Sequence, residues 1–178
     1  VIPVLMTFVV LLGIVTAAHV VLTLALVRRL RTVEADRASS QRWPEAGATV
    51  TEFAVRTTSG RLATPEDVRV GERLVAFLKA GCGPCDELVD SLDPRLGATD
   101  VAAHFFVVGD PSDPRTGMMA DRLGALGEVA VVGNGKEVMS AFGGVRVFPT
   151  LLRLRDGVIM AAGADPNRVL ARIPQRTR

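Results

Sequence analysis

Lys79-Ala80-Gly81-Cys82-Gly83-Pro84-Cys85-Asp86-Glu87 holds the only two cysteines of the chain, three positions apart. Two cysteines scattered at random over 178 residues fall at that spacing roughly once in a hundred, so chance explains it poorly. Ahead of the pair, Arg73 to Ala80 is an apolar run bounded by charge and reads as a buried strand. Behind it, Leu88, Val89, Leu92 and Leu96 recur at helical spacing. The two thiols therefore belong where a strand feeds into the start of a helix.

That position carries chemistry. Unpaired backbone N–H groups and the positive end of the helix dipole face whatever sits in the first turn. A thiol there loses its proton more readily, and the thiolate is the reactive form. Pro84 suits an early helical position, having no N–H to leave unbonded, and Gly83 is expected to turn the backbone tightly between the sulfurs. The expectation is a redox-active pair, with Cys82 the exposed attacking thiol and Cys85, one turn deeper, the resolving thiol. Three other readings compete. A zinc site needs four ligands, and the chain offers two cysteines with His19 and His104. A structural disulfide would close so short a loop that it restrains the unfolded chain little. Two inert buried thiols are the third. No metal and no bound cofactor are called for by the redox reading.

Apolar residues are 48% of the chain but are concentrated at one end. Residues 1–27 carry no charged side chain, a run longer than the roughly 20 residues that span a bilayer. No basic residue precedes it, as a cleaved signal would require, so a retained single transmembrane helix is predicted over 1–27. Gly13, Thr16, Val20 and Thr23 share a face with His19 at its edge. Either the threonines bond their own helix carbonyls, or this small-residue face receives a partner helix. Residues 28–47 read as a juxtamembrane stalk, 48–173 as one soluble domain, and 174–178 as a solvated tail. Arg28, Arg29 and Arg31 directly after the anchor favour a cytoplasmic domain by the positive-inside rule. A net charge of +2, with no basic patch interleaved with aromatics, gives no argument for nucleic acid.

Within the domain, Thr58-Ser59-Gly60 is turn chemistry inside a hairpin over 51–62, and Thr64-Pro65-Glu66-Asp67 is a capped helical turn. After the Cys82 helix, Asp93-Pro94 to Gly97 should close the segment. Strands are expected at 102–108, 129–132, 151–154 and 158–162, with helices at 118–126, 137–142 and 166–173. Alternation of strand and helix, then a hairpin and a last helix, describes an α/β sandwich with a mixed sheet. His104, heading an apolar strand, reads as a structural residue.

Gly81-Cys82-Gly83-Pro84-Cys85 resembles the Cys-Gly-Pro-Cys motif of thioredoxins, and Gly144-Val145-Arg146-Val147-Phe148-Pro149-Thr150 is similar to that family's proline block. The resemblance covers about 51–173. It implies a thioredoxin-like fold in which Phe148–Pro149 is a cis bond facing the cysteines, with Val147 and Phe148 offering backbone groups to a client polypeptide. The long interval between Cys85 and Pro149, an N-terminal hairpin and a single anchor match the TlpA/ResA/MauD redoxins. That implies an inserted strand–helix unit, a domain outside the cytoplasm, and a membrane-protein electron donor or partner helix. Two departures stand out: Gly81 replaces the aromatic before the first cysteine, and Ala76 aligns with a buried acid that serves the second. Proton removal from Cys85 would then fall to water, Asp86, Glu87 or Lys79. The function implied is a membrane-anchored thiol–disulfide oxidoreductase, reductase or relay, acting on cysteines of a partner protein. The alternatives are a non-catalytic membrane adaptor of the same fold and a peroxide-reducing redoxin.

Overall fold

The structure is a computed structural model that describes residues 12, 13, 16, 19–23, 43–96, 99 and 101–171. The chain falls into two compact units, Val1–Gln41 and Arg42–Arg178. In the first, the described residues are helical, and the Thr16 and Thr23 hydroxyls donate to the carbonyls of Leu12 and His19, each at 2.8 Å. Among the described residues no helix is long and apolar enough to cross a membrane. The span expected over 1–27 and the stalk that follows lie largely outside those residues.

The second unit opens with a two-stranded antiparallel hairpin, β1 (Val55–Arg56) and β2 (Leu62–Ala63). A 3-10 turn at Pro65–Val68 follows, with the reciprocal capping of Thr64 and Asp67 that its sequence encodes. Next come β3 (Glu72–Lys79), α1 (Gly83–Leu96), β4 (Ala102–Val108), α2 (Pro114–Gly124), β5 (Glu128–Val132) and α3 (Lys136–Ala141). The chain then returns through β6 (Thr150–Arg155), β7 (Val158–Gly163) and α4 (Pro166–Leu170). The main sheet has the order β5-β4-β3-β6-β7. β3 runs parallel to β4, and β4 to β5, whereas β6 is antiparallel to both β3 and β7. The mixed sheet expected from the sequence is therefore present, and β5 with its neighbouring helices occupies the interval between Cys85 and Pro149.

β3 lies at the centre of the sheet, and five consecutive residues, Leu74 to Leu78, are fully buried. A strand covered on both faces needs apolar side chains in both directions, and so it reads as a continuous run. Alternate residues serve two cores. Leu74, Ala76 and Leu78 point with Cys85, Leu88, Leu92, Met119, Leu123 and Val169 into the layer of α1, α2 and α4. Val75 and Phe77 join Phe106, Phe142, Val50, Phe53 and Val138 on the opposite face. There Phe77 stacks on Phe106 with ring centroids 5.0 Å apart, and Phe142 meets Phe77 edge-on at 5.4 Å. The packed region reaches back to Pro44, which is buried, and the Gly47 N–H donates to the Ile159 carbonyl at 2.8 Å.

Two helix boundaries differ from the sequence reading. α1 continues through Asp93–Pro94 to Leu96, because Leu92 and Leu96 bury on the same face and that packing outweighs the one hydrogen bond a proline removes. α2 begins at Pro114 rather than at Met118. Asp113 caps it, its carboxylate accepting from the Arg115 N–H at 2.9 Å with Pro114 in the first position.

Two glycines separate packing from propensity. A Cβ at Gly127 would lie 2.3 Å from the Ala103 carbonyl oxygen, whereas one at Gly117, inside α2, would meet nothing within 4 Å. Gly127→Ala is expected to cost about 1–3 kcal/mol by forcing backbone apart. Gly117→Ala is expected to raise stability by about 0.5–1 kcal/mol through helix propensity. Urea midpoints of the two variants against the parent check both signs.

Candidate active site

Gly81 sets the geometry of the cysteine loop. Its φ is +72°, a left-handed conformation open to glycine at little cost. This turn takes the chain out of β3 and into α1. Gly83 was expected to supply the tight turn, but it is instead the first residue of the helix and shows no positive φ. Pro84 takes the early helical position foreseen for it. The Cys82 carbonyl accepts from the N–H groups of Cys85 and Asp86 at 2.9 and 3.1 Å, so Cys82 stands at the mouth of α1.

The two sulfurs have different surroundings. Both cysteines are free thiols, with Cys82 half-buried and Cys85 fully enclosed. Cys85 packs with Ala76 and Leu78 of β3, Leu88 and Val107. Burial first, then its hydrogen bond with Cys82, push the Cys85 thiol up to about 12 from the usual 9.0. The Lys79 N–H, 3.5 Å from the Cys85 sulfur, pulls the other way, and the negative charge of Asp86 adds to the rise. Ala76 is fully buried in the same cluster, so the position that resembles a proton-handling acid offers Cys85 only a methyl group.

The proline block approaches from the neighbouring strand. In the antiparallel register Phe77 faces Thr150, so the residues before Thr150 run toward the end of β3 from which Cys82 emerges. Phe148–Pro149 is a cis peptide bond. Pro149 is buried, and Val147 and Phe148 are half-buried. Phe148 packs against the cluster that holds Cys85 and against which Cys82 also rests. The Val147 carbonyl accepts from the Thr150 hydroxyl at 2.7 Å, which orients the loop from within.

The sequence reading missed the first turn of α2, which also reaches this end of the sheet. A Cβ at Gly109 would lie 2.5 Å from the Thr116 hydroxyl and 3.1 Å from the Ala80 Cβ. With no side chain at Gly109, the helix start can close on the ends of β3 and β4. Arg115 is thereby laid against Gly81. The Asp113-Pro114 pair, a cap followed by the favoured first residue, was the available signal. His104 lies away from this loop, at the start of β4 opposite Glu128. It is buried, which pushes its imidazole below the usual value, while the carboxylate of Asp67 acts in the opposite sense. Among the described residues no group of three or more His, Cys, Asp or Glu side chains is arranged to hold a metal ion.

The raised Cys85 thiol has a consequence for stability. Below pH 9 the folded and the unfolded chain both keep this proton. Between about 9 and about 12 the unfolded chain gives it up first, so the reduced protein loses stability as pH rises, by at most about 1.4 kcal/mol per pH unit. The chain has no tyrosine to contribute in that window. Urea midpoints of the reduced protein should fall above pH 9, and Cys85→Ala should flatten the fall; an equal slope in both proteins would remove Cys85 as its cause.

No family model matches the sequence, and no curated protein matches it. Solved structures do. A thio-disulfide isomerase from Thermus thermophilus aligns at a TM-score of 0.59 and 16% identity, covering 71% of this chain and 92% of that one. The thioredoxin domain of a thiol-disulfide oxidoreductase from Bacteroides vulgatus aligns at 0.56 and 16%, covering 66% and 87%. A thiol-disulfide oxidoreductase from Bacteroides fragilis aligns at 0.59 and 14%, covering 70% and 96%. At such identities the likeness is one of backbone architecture, and with the mixed sheet and the strand-to-helix cysteine loop it establishes that the second unit of this chain has the thioredoxin-like fold.

Proposed function

We propose that the chain is a thiol–disulfide oxidoreductase that exchanges electrons with cysteines of a client protein. The carrying observation is the asymmetry of the pair: one half-buried sulfur at a helix mouth and one enclosed beside it, with a cis-proline loop on the adjoining strand. The oxidoreductases and isomerase of like fold support the same reading.

The Cys82 thiolate attacks one sulfur of a client disulfide. The client's sulfur–sulfur bond breaks, its second sulfur leaves as thiolate and takes a proton, and a mixed disulfide joins Cys82 to the client. Cys85 then loses its proton and attacks the Cys82 sulfur. The Cys82–Cys85 disulfide forms and the client's first sulfur departs, so two electrons have passed from the pair to the client. The reverse sequence oxidises a client dithiol. Gly83-Pro84 between the cysteines resembles the reducing members of the fold, and reductase is the direction assigned. Burial of Cys85 as a thiol makes its deprotonation the demanding step, since Ala76 offers no carboxylate there.

The apolar composition of residues 1–27 supports one further part of the reading, that this segment tethers the domain to a membrane; the resemblance to the TlpA/ResA/MauD redoxins adds a membrane-protein electron donor or partner helix as the partner proposed there. Protease accessibility in intact cells reports the side on which the domain lies.

Cys82→Ser is expected to abolish dithiol-dependent insulin reduction, lowering turnover by at least about a thousandfold. Cys85→Ser is expected to accumulate the mixed disulfide, visible as a covalent client adduct on a non-reducing gel. Insulin reduction unaffected by Cys82→Ser would overturn the assignment, and biological function surviving loss of both thiols would replace it with the adaptor reading.

A further inference from the structure

Arg115 comes from an element the cysteine motif does not include, yet its guanidinium lies at the entrance to the motif. A Cβ at Gly81 would meet its Nη1 at 3.2 Å, its Cζ at 3.6 Å and its Nε at 4.0 Å. The plane therefore borders the space a side chain before Cys82 would enter. Gly81 is suited to this twice over: its φ of +72° disfavours a side chain, and the guanidinium leaves little room for one.

The orientation is held from one edge. Asp113 accepts from Nε at 3.3 Å and from Nη2 at 3.0 Å, and among the described residues the side-chain hydrogen bonds of Arg115 go to Asp113 alone. Among the described residues, Nη1, the nitrogen nearest Gly81, has no hydrogen-bond acceptor. An arginine presents donors along more than one edge, so pairing with Asp113 fixes the plane without exhausting it. The side chain is 72% exposed, so a client can reach it.

We infer that Arg115 is a specificity-determining residue of the proposed exchange, and that its Nη1 takes a carboxylate flanking the client's reacting sulfur. The inference rests on the thiol–disulfide reading above. A charged donor bonds an ionised acceptor about twice as strongly as a neutral one, so anionic disulfides gain more than neutral ones from the same contact. The selection is local. The guanidinium is exposed, so the contact weakens as salt rises, and the comparison is made at one fixed ionic strength. No electron passes through Arg115; it holds the client while the Cys82 sulfur attacks.

The test uses the reduced full chain and two small disulfides, anionic 5,5′-dithiobis(2-nitrobenzoate) and neutral 4,4′-dithiodipyridine, with thiol release followed by stopped flow at about 0.15 M salt. Arg115→Ala is expected to slow the anionic reaction by about two- to fivefold and to leave the neutral one unchanged. Arg115→Lys should restore part of the anionic rate, since it keeps the charge but not the fork held by Asp113. Equal slowing of both disulfides, or no change in either, would overturn the inference while leaving the exchange reading intact. A parent protein inert toward both disulfides would sink the exchange reading, and this inference with it.

Discussion

The left-handed backbone at Gly81 is the constraint on which the site depends. A buried strand must end, turn and become a helix within a few residues, and a φ of +72° at that glycine accomplishes it. The turn leaves Cys82 at the rim and sends Cys85 under it, against Ala76 and Leu78. Because no side chain grows from Gly81, the same residue leaves space for the guanidinium of Arg115. One backbone conformation thus decides which sulfur meets solvent, which is enclosed, and what charge lies beside them.

The sheet makes that turn rigid. β3 is flanked by partners on both edges and packed on both faces, so the end of the strand has little freedom to shift. Interiors are close-packed, and displacement at one point is resisted by many neighbours. The proline block enters by the same route, its position set by the register of β6 against β3. Three separate stretches, around residues 82, 115 and 149, converge at one end of the sheet because the strands or helices carrying them are each anchored in the same core. A loop-borne site held by a buried scaffold is a common division of labour.

Much of this was legible beforehand because the signals were local. The apolar run of β3, the capped turn at Thr64–Asp67 and the paired strands expected at 151–154 and 158–162 each rest on chemistry within a few residues. Errors arose where local and distant effects competed. Pro94 read as a stop, yet Leu92 and Leu96 found a shared buried face and the helix continued. Gly83 read as the turn because it lies between the cysteines, but the reversal had to come earlier, where the strand ends. The start of α2 was placed late because Met118 began the visible apolar spacing, whereas Asp113-Pro114 had already capped the helix.

Sequence by itself determined the pair of thiols, their placement between a strand and a helix, and the alternation of elements that implies a mixed sheet. These follow from spacing and periodicity, which act over one or two turns of chain. Tertiary structure alone decided that Cys85 would hold its proton to about 12, since that depends on burial among residues from several elements. It alone laid Arg115 on Gly81, because a contact across more than thirty positions exists only once Gly109 has let α2 close on the sheet. Local chemistry names the reacting atoms; the packing around them sets their acidity and the company they keep.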